Sequence, residues 1–229
     1  MALLALQGQY TGINKNSPFF AWAQFQTHMS PLPHRYFILN KPYNMVSQFV
    51  STHAVNLLGD IVFNFPEGIH AVGRLDNLSE GLLILTTNRN VTRLLFEAKE
   101  PHKRTYLVLV NHTVTEERLQ LIREGISFRI RGGAYYTSAS CQAEIVLQPE
   151  ITFPSPYVMT DNIPYTWLRI TLTEGKFHQV RKMMRAVHHR CKRLIRVSIE
   201  DLSLGGLQPG CIKEIAEKEF FGLLKIDKY

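Results

Sequence analysis

Two stretches of the sequence concentrate residues able to do chemistry. In "AVGRLDNLSEGLLILTTN" (71–88), Asp76 follows Arg74 by two residues and stands just ahead of an aliphatic run. A carboxylate against a buried segment is costly unless it is paired with a cation or used in a reaction. The second stretch is "EGKFHQVRKMMRAVHHRCKRLIRVSIE" (174–200). It carries eight Lys or Arg between Lys176 and Arg196 and no Asp or Glu. Solvated helices ordinarily mix signs to gain i,i+4 pairs, and a run of one sign repels itself unless an anion lies across it. Phosphate groups are such anions, and contacts to them position a nucleic acid without reading its sequence. On the residues alone, Asp76 is either half of a structural ion pair or a reacting carboxylate. The basic run is either a solvated face or a polyanion-binding one.

Other chemistries find less support. His188 and His189 are adjacent and point apart on a helix, with no carboxylate or cysteine to complete a set, so no metal site is expected. Cys141, Cys191 and Cys211 form no CxxC pair and are odd in number. A disulfide scaffold is therefore not expected, and reduced thiols are.

The elements that must hold these residues are legible from pattern. Tyr36–Leu39 reads as a first strand ended by Pro42. Residues 81–87 form an apolar run of strand length, and 90–98 have helical spacing with Asn90 as N-cap. Residues 104–111 read as a strand. Thr113 and Glu116 have capping-box spacing ahead of a helix stopped by Gly125. Short antiparallel strands are expected over 125–148, a proline-rich loop over 149–164, a strand over 165–175 and a helix over about 178–188. On that helix Val180, Met183, Met184 and Val187 make one apolar stripe, and His178, Arg181, Arg185 and His188 share another flank. A strand at about 193–202 and a C-terminal helix within 213–226 complete the chain. The mixture lacks a βαβ rhythm and predicts an α+β fold with a mixed, largely antiparallel sheet and flanking helices. Residues 1–33 read as an N-terminal extension, and 34–229 as the folded domain, in two halves joined near 149–164.

The chain has 229 residues, 45% hydrophobic and 20% charged, with a net charge of +7. That length supports one large domain or two small ones with a core of their own. The charge favours polyanionic partners. The first ten residues are apolar but lack a basic leader pattern and a cleavage site, and no run is long enough to span a bilayer. A soluble cytoplasmic protein is expected.

Taken together, "GRLDNLSEGLLILTTN", the "RTY" of 104–106 and "EGKFHQVRKMMRAV" resemble, in order, the three signature regions of the pseudouridine synthases. "YTWLRITLTEGKFHQVRKMMRAV" and "RLIRVSIEDLSLGGLQPG" are most similar to the large-subunit branch of the bacterial ribosomal RNA family that its small-subunit member defines. The resemblance covers about residues 35–216. It departs at Phe177-His178, where the family commonly has Asn-Arg, and at Arg104, where it usually has Lys.

The resemblance implies the pseudouridine synthase catalytic fold and isomerisation of a uridine in ribosomal RNA. It implies Asp76 as the catalytic carboxylate, Arg181 as its ionic partner, and Tyr106 as the ring that stacks on the base and takes its proton. Arg74 is then expected to hold the extruded nucleotide site open. Lys103, Arg104, Lys176, His178, Gln179, Lys182 and Arg185 are expected at the RNA. Gly73 and Gly81 flank the loop and suit either close approach or a turn. Ser79 is expected to fix the loop through its hydroxyl. No cofactor, metal, membrane or protein partner is implied, and a monomer is expected. The competing readings are a catalytically silent RNA-binding or ribosome-assembly protein on the same fold, and a small-molecule hydrolase. The latter lacks a nucleophile elbow, a metal signature and a phosphate loop.

Overall fold

Every residue of the strand Glu80–Thr86 is buried, so the aliphatic run after Asp76 is an inner strand covered on both faces. The computed structural model describes residues 33–97, 100–151, 153–156, 158–159 and 162–229. The extension expected before Pro33 lies outside the described residues.

The strands in chain order are β1 (Tyr36–Lys41), β2 (His70–Val72), β3 (Glu80–Thr86), β4 (Arg104–Asn111), β5 (Ser127–Arg129), β6 (Tyr135–Thr137), β7 (Gln142–Val146), β8 (Tyr165–Leu172), β9 (Cys191–Ile199), β10 (Leu202–Ser203) and β11 (Ile212–Ile215). The helices are α1 (Asn90–Phe96), α2 (Glu116–Glu124), α3 (Gln179–Ala186) and α4 (Glu217–Leu223). One sheet runs β11-β1-β3-β9-β4-β8-β7, with β2 on β3 and β10 on β9, while β5 and β6 form a separate ribbon. Every ladder is antiparallel except β3–β9, which pairs Glu80 with Ile195 and Gly81 with Arg196. The fold is α+β with a mixed, mostly antiparallel sheet, as the pattern predicts.

Three clusters form the core. One covers the face that carries α1 and α4, through Val91, Leu95, Phe220 and Phe221. The second joins α2 and α3 to β4 and β8, and it buries the predicted stripe Val180, Met183, Met184 and Val187. The third packs β1 and β3 against the loop 45–75. Tyr106 touches both the second and the third, so it stands at the seam between the two halves of the sheet.

Several local expectations shift. The cap of α1 precedes Asn90, since Arg89 holds that position and the Asn88 side chain takes the Asn90 N–H at 3.0 Å. α2 is capped by Thr115, not Thr113, because helical geometry begins two residues later than a Thr113–Glu116 box requires. The apolar spacing of 213–226 divides between β11 and α4, because Ile212–Ile215 completes the sheet edge beside β1. No helix among the described residues is long and apolar enough to cross a membrane.

Gly81 is required by close approach. A Cβ there would meet the Arg196 carbonyl oxygen at 2.3 Å and its nitrogen at 2.8 Å, and φ is +101°. Gly81→Ala is expected to cost roughly 2–5 kcal/mol, from a disfavoured backbone angle together with overpacking. Urea denaturation measures it, and a cost under about 1 kcal/mol would show that β9 yields.

Candidate active site

Asp76 sits in the turn between β2 and β3, and that turn is fixed from several sides. The Ser47 hydroxyl accepts the Leu75 N–H and donates to the Leu75 carbonyl, both at 3.0 Å. The Ser79 N–H donates to the Asp76 carbonyl at 2.9 Å. Lys41, fully buried at the end of β1, donates from Nζ to the carbonyls of Met45 (2.6 Å), Pro42 (2.8 Å) and Asn77 (3.4 Å). Three carbonyls match the three donors of an ammonium, while burial pulls the Lys41 pKa down to about 7. Ser79 does not play the role expected of its side chain. Its hydroxyl is buried without a hydrogen-bond partner among the described residues, and its backbone N–H makes the turn instead.

The far end of the turn is held by charge. Glu80 and Arg193 form a bidentate pair at 2.8 Å on both arms, each side chain 4% exposed. Arg193 also donates to the Pro154 carbonyl at 3.0 Å. The sequence reading counted Arg193 in the basic run without placing it at the RNA. The signal that set it apart from the run was its place in an apolar strand, opposite an acid that opens another one.

Asp76 opens into a cavity of about 630 Å³. Its walls include Arg74, Arg104, Tyr106, Lys176, His178, Gln179, Leu194 and Arg196. The strands bring this set together: Tyr106 on β4 lies opposite Arg196 on β9, and Leu194 shares the Arg196 face of the pleat. The Asp76 side chain is 28% exposed, and Oδ1 lies 3.5 Å from Nε2 of His178. His178 caps α3 with φ +55°, and its ring stacks on Phe177 with centroids 3.9 Å apart.

Arg181 is placed differently from the expected ion pair. Its Nη2 donates to the Leu78 carbonyl at 2.7 Å, and Nη1 reaches the Cys191 carbonyl at 3.5 Å. Among the described residues the basic side chain within ion-pair distance of Asp76 is therefore His178, while Arg181 braces the Asp76 turn from the other side. Burial pushes the Cys191 thiol up to about 11, so it is no thiolate nucleophile at neutral pH.

The remaining predicted residues divide. Arg74 donates to the Gln48 side chain at 2.9 Å at the pocket rim. Arg104 is buried and lies over the Phe96 ring, 5.1 Å from its centroid. Lys176 is exposed at the rim, 4.9 Å from the Tyr136 centroid. Gln179 is spent inside the protein: Oε1 accepts the Lys176 N–H at 2.8 Å and the amide donates to Glu174. Lys182 lies over Phe177 and Phe128, at 5.5 and 6.0 Å. Arg185 and Arg181 line a second cavity of about 660 Å³ with His188, His189, Arg190 and Lys192, and no acid lines it. Lys103 is not among the pocket residues. It borders a separate hollow with His102 and Glu200, and its N–H donates to Glu200.

A carboxylate in a half-closed pocket, faced by an aromatic hydroxyl and several cations, suits cleavage at an anomeric carbon, where positive charge develops on the sugar. No group of His, Cys, Asp and Glu suited to a metal ion occurs among the described residues.

The comparisons with known proteins agree with this chemistry. The family model described as RNA pseudouridylate synthase matches residues 35–186. The chain is 37% identical over 180 residues to a protein of Vibrio parahaemolyticus named ribosomal large subunit pseudouridine synthase E, covering 78% of this chain and 72% of that one. It is 33% identical over 174 residues to a protein of the same name from Xanthomonas axonopodis, covering 75% and 89%. A crystal structure of a pseudouridylate synthase superposes with a TM-score of 0.67 at 25% identity, covering 83% of this chain and 74% of that one. A pocket that joins a carboxylate to an aromatic partner thus occurs in a chain whose fold and sequence both match one group of enzymes: this protein belongs to the RNA pseudouridylate synthase family.

Proposed function

We propose that the protein converts a uridine of large-subunit ribosomal RNA into pseudouridine, in the cytoplasm where that RNA is found. The observation that carries this reading is the convergence of Asp76, Tyr106 and several cations in one cavity, beside a second cavity lined by cations and no acid. The names of the relatives from Vibrio and Xanthomonas support the choice of RNA.

The target nucleotide leaves its stack, at a cost of a few kcal/mol that is least in loops and bulges. Arg74 at the rim holds the opening. Asp76 breaks the N1–C1′ bond with its carboxylate, either by attack at C1′ or by taking the 2′ proton. Tyr106 lies under the base as it turns, and it accepts the C5 proton once C5 has joined C1′. Arg181 keeps the Asp76 turn in register through the Leu78 carbonyl.

Incubation with unmodified ribosomal RNA, followed by carbodiimide treatment and primer extension, is expected to give one new stop in the large-subunit RNA. Stops confined to small-subunit or transfer RNA would refute the substrate, and RNA bound without any stop would favour the silent binding protein. Lys182→Ala and Arg185→Ala are expected to weaken RNA binding and to lower the slope of log affinity against log salt by roughly 0.7–1 each. An unchanged slope would place that flank of α3 in solvent.

A further inference from the structure

Arg196 is a buried charged group in the pocket wall that the mechanism above leaves without work. Its residue exposure is 4%. Nε donates to the Leu82 carbonyl at 2.8 Å, and the guanidinium bonds the Tyr106 hydroxyl. Nη2 is sealed from solvent with no hydrogen-bond partner among the described residues. Among the described residues no carboxylate pairs with it. The charges that act on it include another cation, Arg104, and it in turn acts on the buried Lys41. Desolvation lowers its pKa, but a guanidinium starts so high that the charge remains. Arg193, three residues earlier and on the opposite face of the same strand, has a full carboxylate partner. A buried cation without an anion is unfavourable in the resting protein. Its neighbours also leave it little freedom to move away, because Gly81 packs directly against its backbone.

Uridine isomerisation creates the missing anion. When the N1–C1′ bond breaks, its electron pair stays on N1 and spreads over O2 and O4 of the ring. C1′ is left bonded to the carboxylate, or doubly bonded to C2′ after loss of the 2′ proton. The base is then a uracil anion until C5 bonds to C1′ and the C5 proton leaves. We propose that Arg196 stabilises this detached uracil anion, its buried charge lying in the pocket wall beside Tyr106, against which the base turns. A preorganised donor aimed at charge that develops only during reaction accelerates the bond-breaking step rather than binding. The inference rests on the isomerase reading.

The test is single-turnover conversion of ribosomal RNA by Arg196→Gln. Its rate is expected to fall about 10²- to 10³-fold, the scale for removing one such donor, with RNA affinity within about threefold of the wild type. In RNA carrying 5-fluorouridine, fluorine makes the base a better leaving group, and the rearranged nucleoside is read by chromatography after digestion. There the deficit is expected to shrink at least tenfold. In RNA carrying 5-deuterated uridine, the variant should react at its rate with ordinary uridine. An equal deficit on uridine and 5-fluorouridine would overturn the proposal in favour of a structural role. A large deuterium effect would overturn it by moving Arg196 to proton removal through Tyr106. Arg196→Lys keeps the cation and should show the same pattern at smaller amplitude, and it decides the matter if the Gln variant does not fold. Failure of the wild-type protein to convert any ribosomal RNA would count against the isomerase reading instead.

Discussion

Asp76→Asn is expected to lower pseudouridine formation by at least about 10⁴-fold, the scale seen when an essential reacting group is removed. Folding and RNA affinity should be nearly unchanged. The turn around Asp76 is held through other atoms: the Leu75 amide and carbonyl on Ser47, the Asp76 and Asn77 carbonyls, and the Leu78 carbonyl on Arg181. Among the described residues the carboxylate lies within ion-pair distance of His178 alone, at 3.5 Å, and it is 28% exposed. Such a pair contributes little to stability. Conversion is read by primer extension, affinity by filter binding and stability by urea denaturation. An Asn variant that loses stability and RNA binding together with activity would show that Asp76 is structural.

Glu80→Gln is expected to have the largest effect on stability, about 3–5 kcal/mol, because it leaves the Arg193 guanidinium buried without its counter-charge. The number describes breaking the pair, not the net contribution of having it. Replacing both partners by leucine should therefore cost less than the single change, and a double-mutant cycle on urea midpoints measures the difference. The Gln variant should also convert RNA more slowly at temperatures where it remains folded, since Glu80 ends the turn that carries Asp76. A loss under about 1 kcal/mol would show that the pair is hydrated and contributes little.

Much of the architecture was legible because hydrophobic period and turn residues report on local geometry. The α3 stripe, the inner strand after Asp76 and the Gly125 stop all follow from spacing. The three motifs also brought Asp76 and Tyr106 to one pocket. What spacing does not encode is partner choice between distant segments. Arg181 and His178 lie on the same turn of helix, and only the docked angle of α3 decides which of them faces Asp76. The cations of the basic run looked alike in sequence, yet β9 sends Arg193 to Glu80 and Arg196 to Tyr106 on opposite faces of its pleat. A strand reading of "CKRLIRVSI" carried this distinction, since alternation places residues three apart on opposite sides. Lys41 was missed because its partners are backbone carbonyls of Pro42, Met45 and Asn77, which no side-chain pattern marks.

The short parallel contact of β3 with β9 has a consequence for the order of assembly. It joins Gly81 to a strand more than a hundred residues later, and about half of the pocket wall, from Leu172 to Arg196, comes from residues beyond 170. Contacts so distant along the chain close late in folding, because their loop entropy is met only after the local pieces exist. During synthesis, then, a chain that has displayed Asp76 and Tyr106 still has no pocket until Arg196 has left the ribosome and β9 has slid between β3 and β4. The site's chemistry thus becomes available only once the late strand β9 has joined the sheet.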